Sequence, residues 1–171
     1  MANSIESVKS NIWKYYTYNF LSLVVLYLPF IVYYFQNLGF SLGKIALLQS
    51  SMAMTFFVLE IPSGYIADKF GRKNSLILSA IFQILSVSIL YSAQEYYMLI
   101  ISHILMGFSA SFMSGADSAF LYDTLLVLKK EKSYKKIAGK AKFFGEMAII
   151  LSAIAASFVI SYGIKSTILI T

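Results

Sequence analysis

Gly64-Tyr65-Ile66-Ala67-Asp68-Lys69-Phe70-Gly71-Arg72-Lys73 carries four charges and two glycines in ten residues, and apolar sequence runs for tens of residues on either side. The stretch is too charged to cross lipid and too short to form a domain. It reads as a tight connector between two membrane helices.

Before it, Ile45 to Ala67 is interrupted only by Glu60 and Pro62. After it, Asn74 to Ala93 holds no charge, and Gln94-Glu95 makes a minimal loop. A span needs about 20 apolar residues. On that measure the chain reads as all-α, a multi-pass transmembrane helical bundle over residues 1–171. Spans fall at about 15–36, 45–67, 74–93, 96–122 and 143–164, and Ser166 to Thr171 starts a sixth. Pro29 lies inside the first run and is expected to kink it. Trp13, Tyr15, Tyr16 and Tyr18 suit a membrane–water interface.

Composition agrees. Apolar residues make up 58% of the 171 and charged residues 13%, with a mean hydropathy of +0.72. A soluble domain carries about 25% charged residues. There is no cysteine and one histidine, so disulfides, thiolate metal sites and cysteine nucleophiles are excluded. No metal, cofactor or enzyme active site is expected: no nucleophile–base pair, metal cluster or Walker motif is present. The net charge of +6 is an orientation signal rather than a nucleic-acid footprint. Lys9, Lys14, the connector and the Lys-rich stretch 129–142 hold 12 of the 14 Lys and Arg. The positive-inside rule therefore expects the N-terminus in the cytoplasm of a cell-membrane protein. The 129–142 stretch reads as a solvated loop attracted to anionic headgroups.

The connector fits G-x-x-x-D-[RK]-x-G-[RK]-[RK] and lies between the second and third spans. In pattern and position it resembles the signature loop of the major facilitator superfamily of secondary transporters. Leu59-Glu60-Ile61-Pro62-Ser63-Gly64 and Ser114 to Asp123 look like bacterial segments of that superfamily. The resemblance covers essentially the whole chain, aligned with the family's N-terminal half. It implies a cytoplasmic gate at Gly64, Asp68, Lys69, Gly71, Arg72, Lys73 and Asp123. It also implies a C-terminal six-helix bundle that this chain lacks. Gly64 would let a helix approach, and Gly71 would permit a positive φ. Arg72 offers a planar fork for a carboxylate, with Asp123 its first expected mate and Asp117 second. Asp68 sits at the unfavourable end of its helix dipole and is expected to find its partner outside the chain.

Carboxylates within spans cost at least ~2.5–3.5 kcal/mol on insertion scales, so they face a cavity or a partner. Glu60, His103, Asp117 and Glu146 are the candidate proton or substrate sites. At 100° per residue, His103 and Asp117 return to one face with Ala110 and Ser114 between them. Gly107, Ser111, Gly115 and Ala119 form a small-residue ridge suited to close packing. The family often has Arg where this chain has His103, so an arginine-based coupling role does not carry over. Glu60 precedes Pro62 and is read as bonding backbone freed by it. Asp117 and Glu146 are placed at similar depth. Asn19, Tyr27, Tyr33, Tyr34 and Gln36 face substrate or, one by one, simply pack.

The implied function is secondary active transport, or the N-terminal half of such a transporter. It would move a small solute across the bilayer by alternating access, with H+ as partner and efflux as direction. The alternative is a non-transporting membrane protein, or an inactive fragment that retains the N-terminal bundle.

Overall fold

The computed structural model describes residues 2–114, 116–160 and 163–170. Its helices are α1 (Ala2–Leu21), α2 (Ile31–Asn37), α3 (Leu42–Phe70), α4 (Arg72–Ser92), α5 (Tyr96–Ser114), α6 (Asp117–Val127), α7 (Tyr134–Val159) and α8 (Ile164–Leu169). The described residues contain no strand. Among the described residues, four helical stretches are long and apolar enough to cross a membrane: Leu42–Phe70, Arg72–Ser92, Tyr96–Val127 and Glu131–Val159. At 1.5 Å per residue, the 29 residues of α3 extend about 43 Å, against a hydrocarbon core of about 30 Å.

The first apolar run differs from a single kinked span. α1 ends at Leu21, the chain turns through Ser22–Tyr27, and a 3-10 turn at Leu28–Phe30 leads into α2. Pro29 sits in that turn, where its missing N–H costs nothing. The break itself begins seven residues earlier. By contrast Pro62 lies inside α3 without ending it. In the fourth run Gly115, part of the expected ridge, lies between α5 and α6 outside the described residues.

The Lys-rich stretch is mostly helical rather than a loop, since α7 starts at Tyr134. Tyr134, Ile137, Ala138 and Ala141 recur at helical spacing and pack with Tyr15, Leu121 and Leu125. Their lysine neighbours at 135, 136, 140 and 142 stay exposed. A second core, with Tyr27, Phe35, Leu48, Leu90 and Leu99, closes the opposite end of the spans.

Between these ends the helices are joined by serines. Ser79 Oγ donates to the Ser109 carbonyl at 2.8 Å and Ser86 Oγ to the Ser102 carbonyl at 2.9 Å. Seven residues up α4 thus correspond to seven down α5, the register of an antiparallel heptad. Ser75 Oγ adds a bond to the Phe112 carbonyl at 3.0 Å. Across α3 and α5, Ser111 Oγ donates to Ser63 Oγ at 2.8 Å, and Ser63 Oγ reaches the Ser111 carbonyl at 3.0 Å. All these serines are buried. In lipid, apolar burial does not drive helices together, and close packing with interhelical hydrogen bonds does. Ser86→Ala is expected to lower unfolding free energy in detergent by about 0.5–1.5 kcal/mol. The Ser86→Ala/Ser102→Ala double variant should lose less than the sum, because the two hydroxyls also meet at 3.2 Å and either single variant removes that shared contact.

Candidate functional site

The connector is a one-residue reversal. Gly71 has φ +93°, a region that side chains rarely adopt, so glycine is required there. Its N–H donates to the Ala67 carbonyl, closing α3, and its carbonyl accepts from Asn74 and Ser75 N–H, opening α4. One residue therefore serves as the C-cap of one span and the N-cap of the next.

This reversal places Arg72, the first residue of α4, beside Asp68 in the last turn of α3, and the two form an ion pair. Asp68 thus has a mate within the chain, a correction to the expectation that its partner lies outside. The reason is geometric: a reversal at Gly71 puts positions 68 and 72 on the same side of the turn. Arg72 Nε also lies 3.9 Å from Asp123 Oδ2 in α6. One guanidinium therefore links the connector to the end of the fourth run. Lys69 lies over the rings of Tyr65 and Phe70, at 5.9 and 5.6 Å from their centroids. Lys73 is exposed. A Cβ built on Gly64 meets nothing within 4 Å, so no described helix makes the close approach expected there.

The other four candidates do not form one site. His103 is buried, with Nδ1 2.8 Å from the Leu99 carbonyl and its ring 5.8 Å from Phe35. It belongs to the core at the end opposite the connector. Glu60 and Glu146 are exposed. The Glu60 carbonyl accepts from Ser63 Oγ at 3.1 Å, so it is the backbone at this position, bonded by Ser63, that is engaged near Pro62. Asp117 opens α6 and is half-buried, and Tyr15 and Asn19 of α1 are the polar side chains that face it. Its Oδ1 is buried without a hydrogen-bond partner, and among the described residues it makes no ion pair.

A cavity of about 480 Å³ lies between α1, α3, α4 and α5. Its wall includes Met52, Met106 and Met113, with Tyr18, Gln83 and the serines at 22, 79 and 109 as polar members, and no charged side chain among the described residues lines it. Its size falls in the usual range of small-molecule sites, about 300–1,000 Å³. Gln83 is not among the residues expected from the sequence, although an amide midway along an otherwise uncharged apolar run is a legible signal.

A helical bundle of long apolar spans, with a glycine-hinged, charge-paired connector and a largely apolar, half-open cavity, defines a polytopic membrane protein. The family model described as Major Facilitator Superfamily matches residues 16–171, and the chain belongs to that family. Among curated relatives, the High-affinity glucose transporter 1 of Candida albicans is 31% identical over 115 residues, covering 67% of this chain and 19% of that protein. Solute carrier family 22 member 1 of Oryctolagus cuniculus is 35% identical over 74 residues, 42% of this chain and 13% of that protein. The chain therefore matches about a fifth or less of the length of these relatives. No solved structure matches it.

Proposed function

We propose that the chain forms the N-terminal bundle of a secondary active transporter, which moves a small solute by alternating access against a second bundle. The observation that carries this reading is the Arg72 bridge, which joins the α3–α4 connector to Asp123 in α6. A bistable transporter needs a link between spans that can break and reform on one side of the membrane. An ion pair with exposed carboxylates suits that use, because exposed pairs contribute only about 0–1 kcal/mol. The side chains of Asp68 and Asp123 are 63% and 62% exposed. In this reading the connector and the N-terminus are cytoplasmic, supported by the lysine distribution. H+ is the coupling ion, and Asp117, half-buried and in no ion pair among the described residues, is its carrier. Efflux is the direction, on the resemblance of the motif segments.

The test is flux in vesicles bearing the chain together with a C-terminal six-helix bundle, with and without an imposed pH gradient. Arg72→Ala is expected to change unfolding free energy by less than about 1 kcal/mol and to abolish flux. Arg72→Lys should restore part of it, because an ammonium keeps the charge but not the fork. Unaltered flux in Arg72→Ala would remove the bridge from the mechanism. Absence of flux under every gradient would favour a membrane protein that does not transport.

A further inference from the structure

The cavity between α1, α3, α4 and α5 has polar features that the bundle itself does not use. The hydroxyls of Ser79 and Ser109, both on its wall, already bond to each other across the α4–α5 seam. Gln83 makes no side-chain hydrogen bond among the described residues, and its amide stands one turn along α4 from Ser79. On the facing side, α1 stops at Leu21, and Leu21, Ser22 and Leu23 line the cavity where the helix ends. Ser22 N–H still bonds back to Tyr18, and the N–H groups of Leu23 and Val24 reach Phe20 and Leu21. Among the described residues no backbone N–H donates to the carbonyls of Ser22, Leu23 or Val24. A helix C-terminus carries a partial negative charge and spare acceptors. Non-helical backbone at membrane depth is tolerated where it is buried in protein or lines a cavity.

We propose that this cavity binds a neutral, largely apolar small molecule carrying a hydrogen-bond donor, seated between the Gln83 amide and the frayed end of α1. In naming this ligand as the transported solute, the assignment rests on the transport reading above. The wall selects for this chemistry. Three methionines supply a polarizable surface that adapts to irregular apolar shapes. A full charge would be desolvated with no opposite charge in the lining, which excludes ions. A sugar would bury several hydroxyls against a mostly apolar wall, and each one left unpaired opposes binding. A single donor is matched by the free carbonyls, and Gln83 can both donate and accept. The residues that distinguish the ligand are thus Gln83 and the Leu21–Leu23 segment rather than the connector.

The absence of cysteine allows a direct test. Ala110→Cys, and Ala80→Cys as a second variant, each place one thiol in the cavity wall. Labelling by N-ethylmaleimide is followed in the full chain in nanodiscs. N-phenyl-1-naphthylamine, a neutral apolar amine with one N–H, is expected to slow labelling at both positions, whereas D-glucose and naphthalene-1-sulfonate should not. Adding Gln83→Leu should weaken the protection about tenfold, the loss of one buried hydrogen bond, and Gln83→Asn should retain part of it. Ile154→Cys, on the exposed surface of α7, should label at the same rate throughout. Equal protection by glucose, no protection by the naphthylamine, or equal slowing at Ile154→Cys would each overturn the assignment. Protection without vesicle flux would overturn the transport reading and leave the cavity site standing. Flux of a sugar with no protection would do the reverse.

Discussion

Gly107→Val is expected to collapse the bundle, with monodisperse protein lost from detergent extracts, and Gly107→Ala to lower unfolding free energy by about 1–3 kcal/mol. A Cβ on Gly107 would stand 2.7 Å from the Met52 carbonyl oxygen and 2.7 Å from Thr55 Cβ. The first of these is backbone and cannot rotate away, so α3 and α5 must separate. The intrinsic helix preference of alanine over glycine, about 1 kcal/mol, opposes this and is too small to reverse it. The sign is specific to the site. Gly139→Ala, in α7, meets nothing within 4 Å and is expected to be neutral or stabilising by up to about 1 kcal/mol. Thermal unfolding of the two alanine variants side by side checks the contrast. If both move in the same direction, close α3–α5 contact at Gly107 does not hold the bundle.

Asp117→Asn is expected to reduce pH-gradient-driven flux to the level seen without a gradient. Asn nearly matches the carboxylate in shape but cannot exchange a proton. The carboxylate faces Tyr15 and Asn19, and its Oδ1 has no partner. Tyr15 and Asn19 engage the carboxylate, but the one oxygen left unmet costs about 1–3 kcal/mol, more than a purely structural contact needs. Asp117→Asn should accordingly leave unfolding free energy unchanged or increase it, and Asp117→Glu should retain part of the gradient response. Glu60→Gln and Glu146→Gln provide the comparison: both residues are exposed and should leave gradient dependence intact. Gradient-driven flux that survives Asp117→Asn would remove this residue as the proton carrier.

Much of the architecture was legible in one dimension because membrane-embedded helices announce themselves by length and absence of charge. The connector was legible for a different reason. Gly71 must take a positive φ to reverse the chain in one residue, and few sequences place glycine between charges at that spacing. The helical character of 134–142 was also readable, since Tyr134, Ile137, Ala138 and Ala141 repeat at 3.6-residue spacing among the lysines. The density of charge concealed it.

Other features needed three dimensions. Serines at 79 and 86, or 102 and 109, look like ordinary tolerated polar residues until antiparallel packing sets them opposite one another. His103 and Asp117 share a helical face by angle, yet one lies in the core beside Phe35 and the other against α1. Periodicity fixes direction around an axis but not which neighbour stands there. The end of α1 at Leu21 has no local cause in the sequence, since Pro29 lies eight residues further on. That break, with Gln83 facing the same cavity, is a product of tertiary packing.

By itself, then, the amino-acid sequence determined the membrane-embedded helical class, the alternation of charge between its ends and the glycine-hinged connector at 64–73. These depend on hydropathy, charge and backbone sterics, which act locally. Tertiary structure decided that Arg72 holds both Asp68 and Asp123, that Gly107 rather than Gly64 is the point of close approach, and that α1 breaks against a cavity. Those depend on distances between residues far apart in the chain, which only the packing of one helix on another can set.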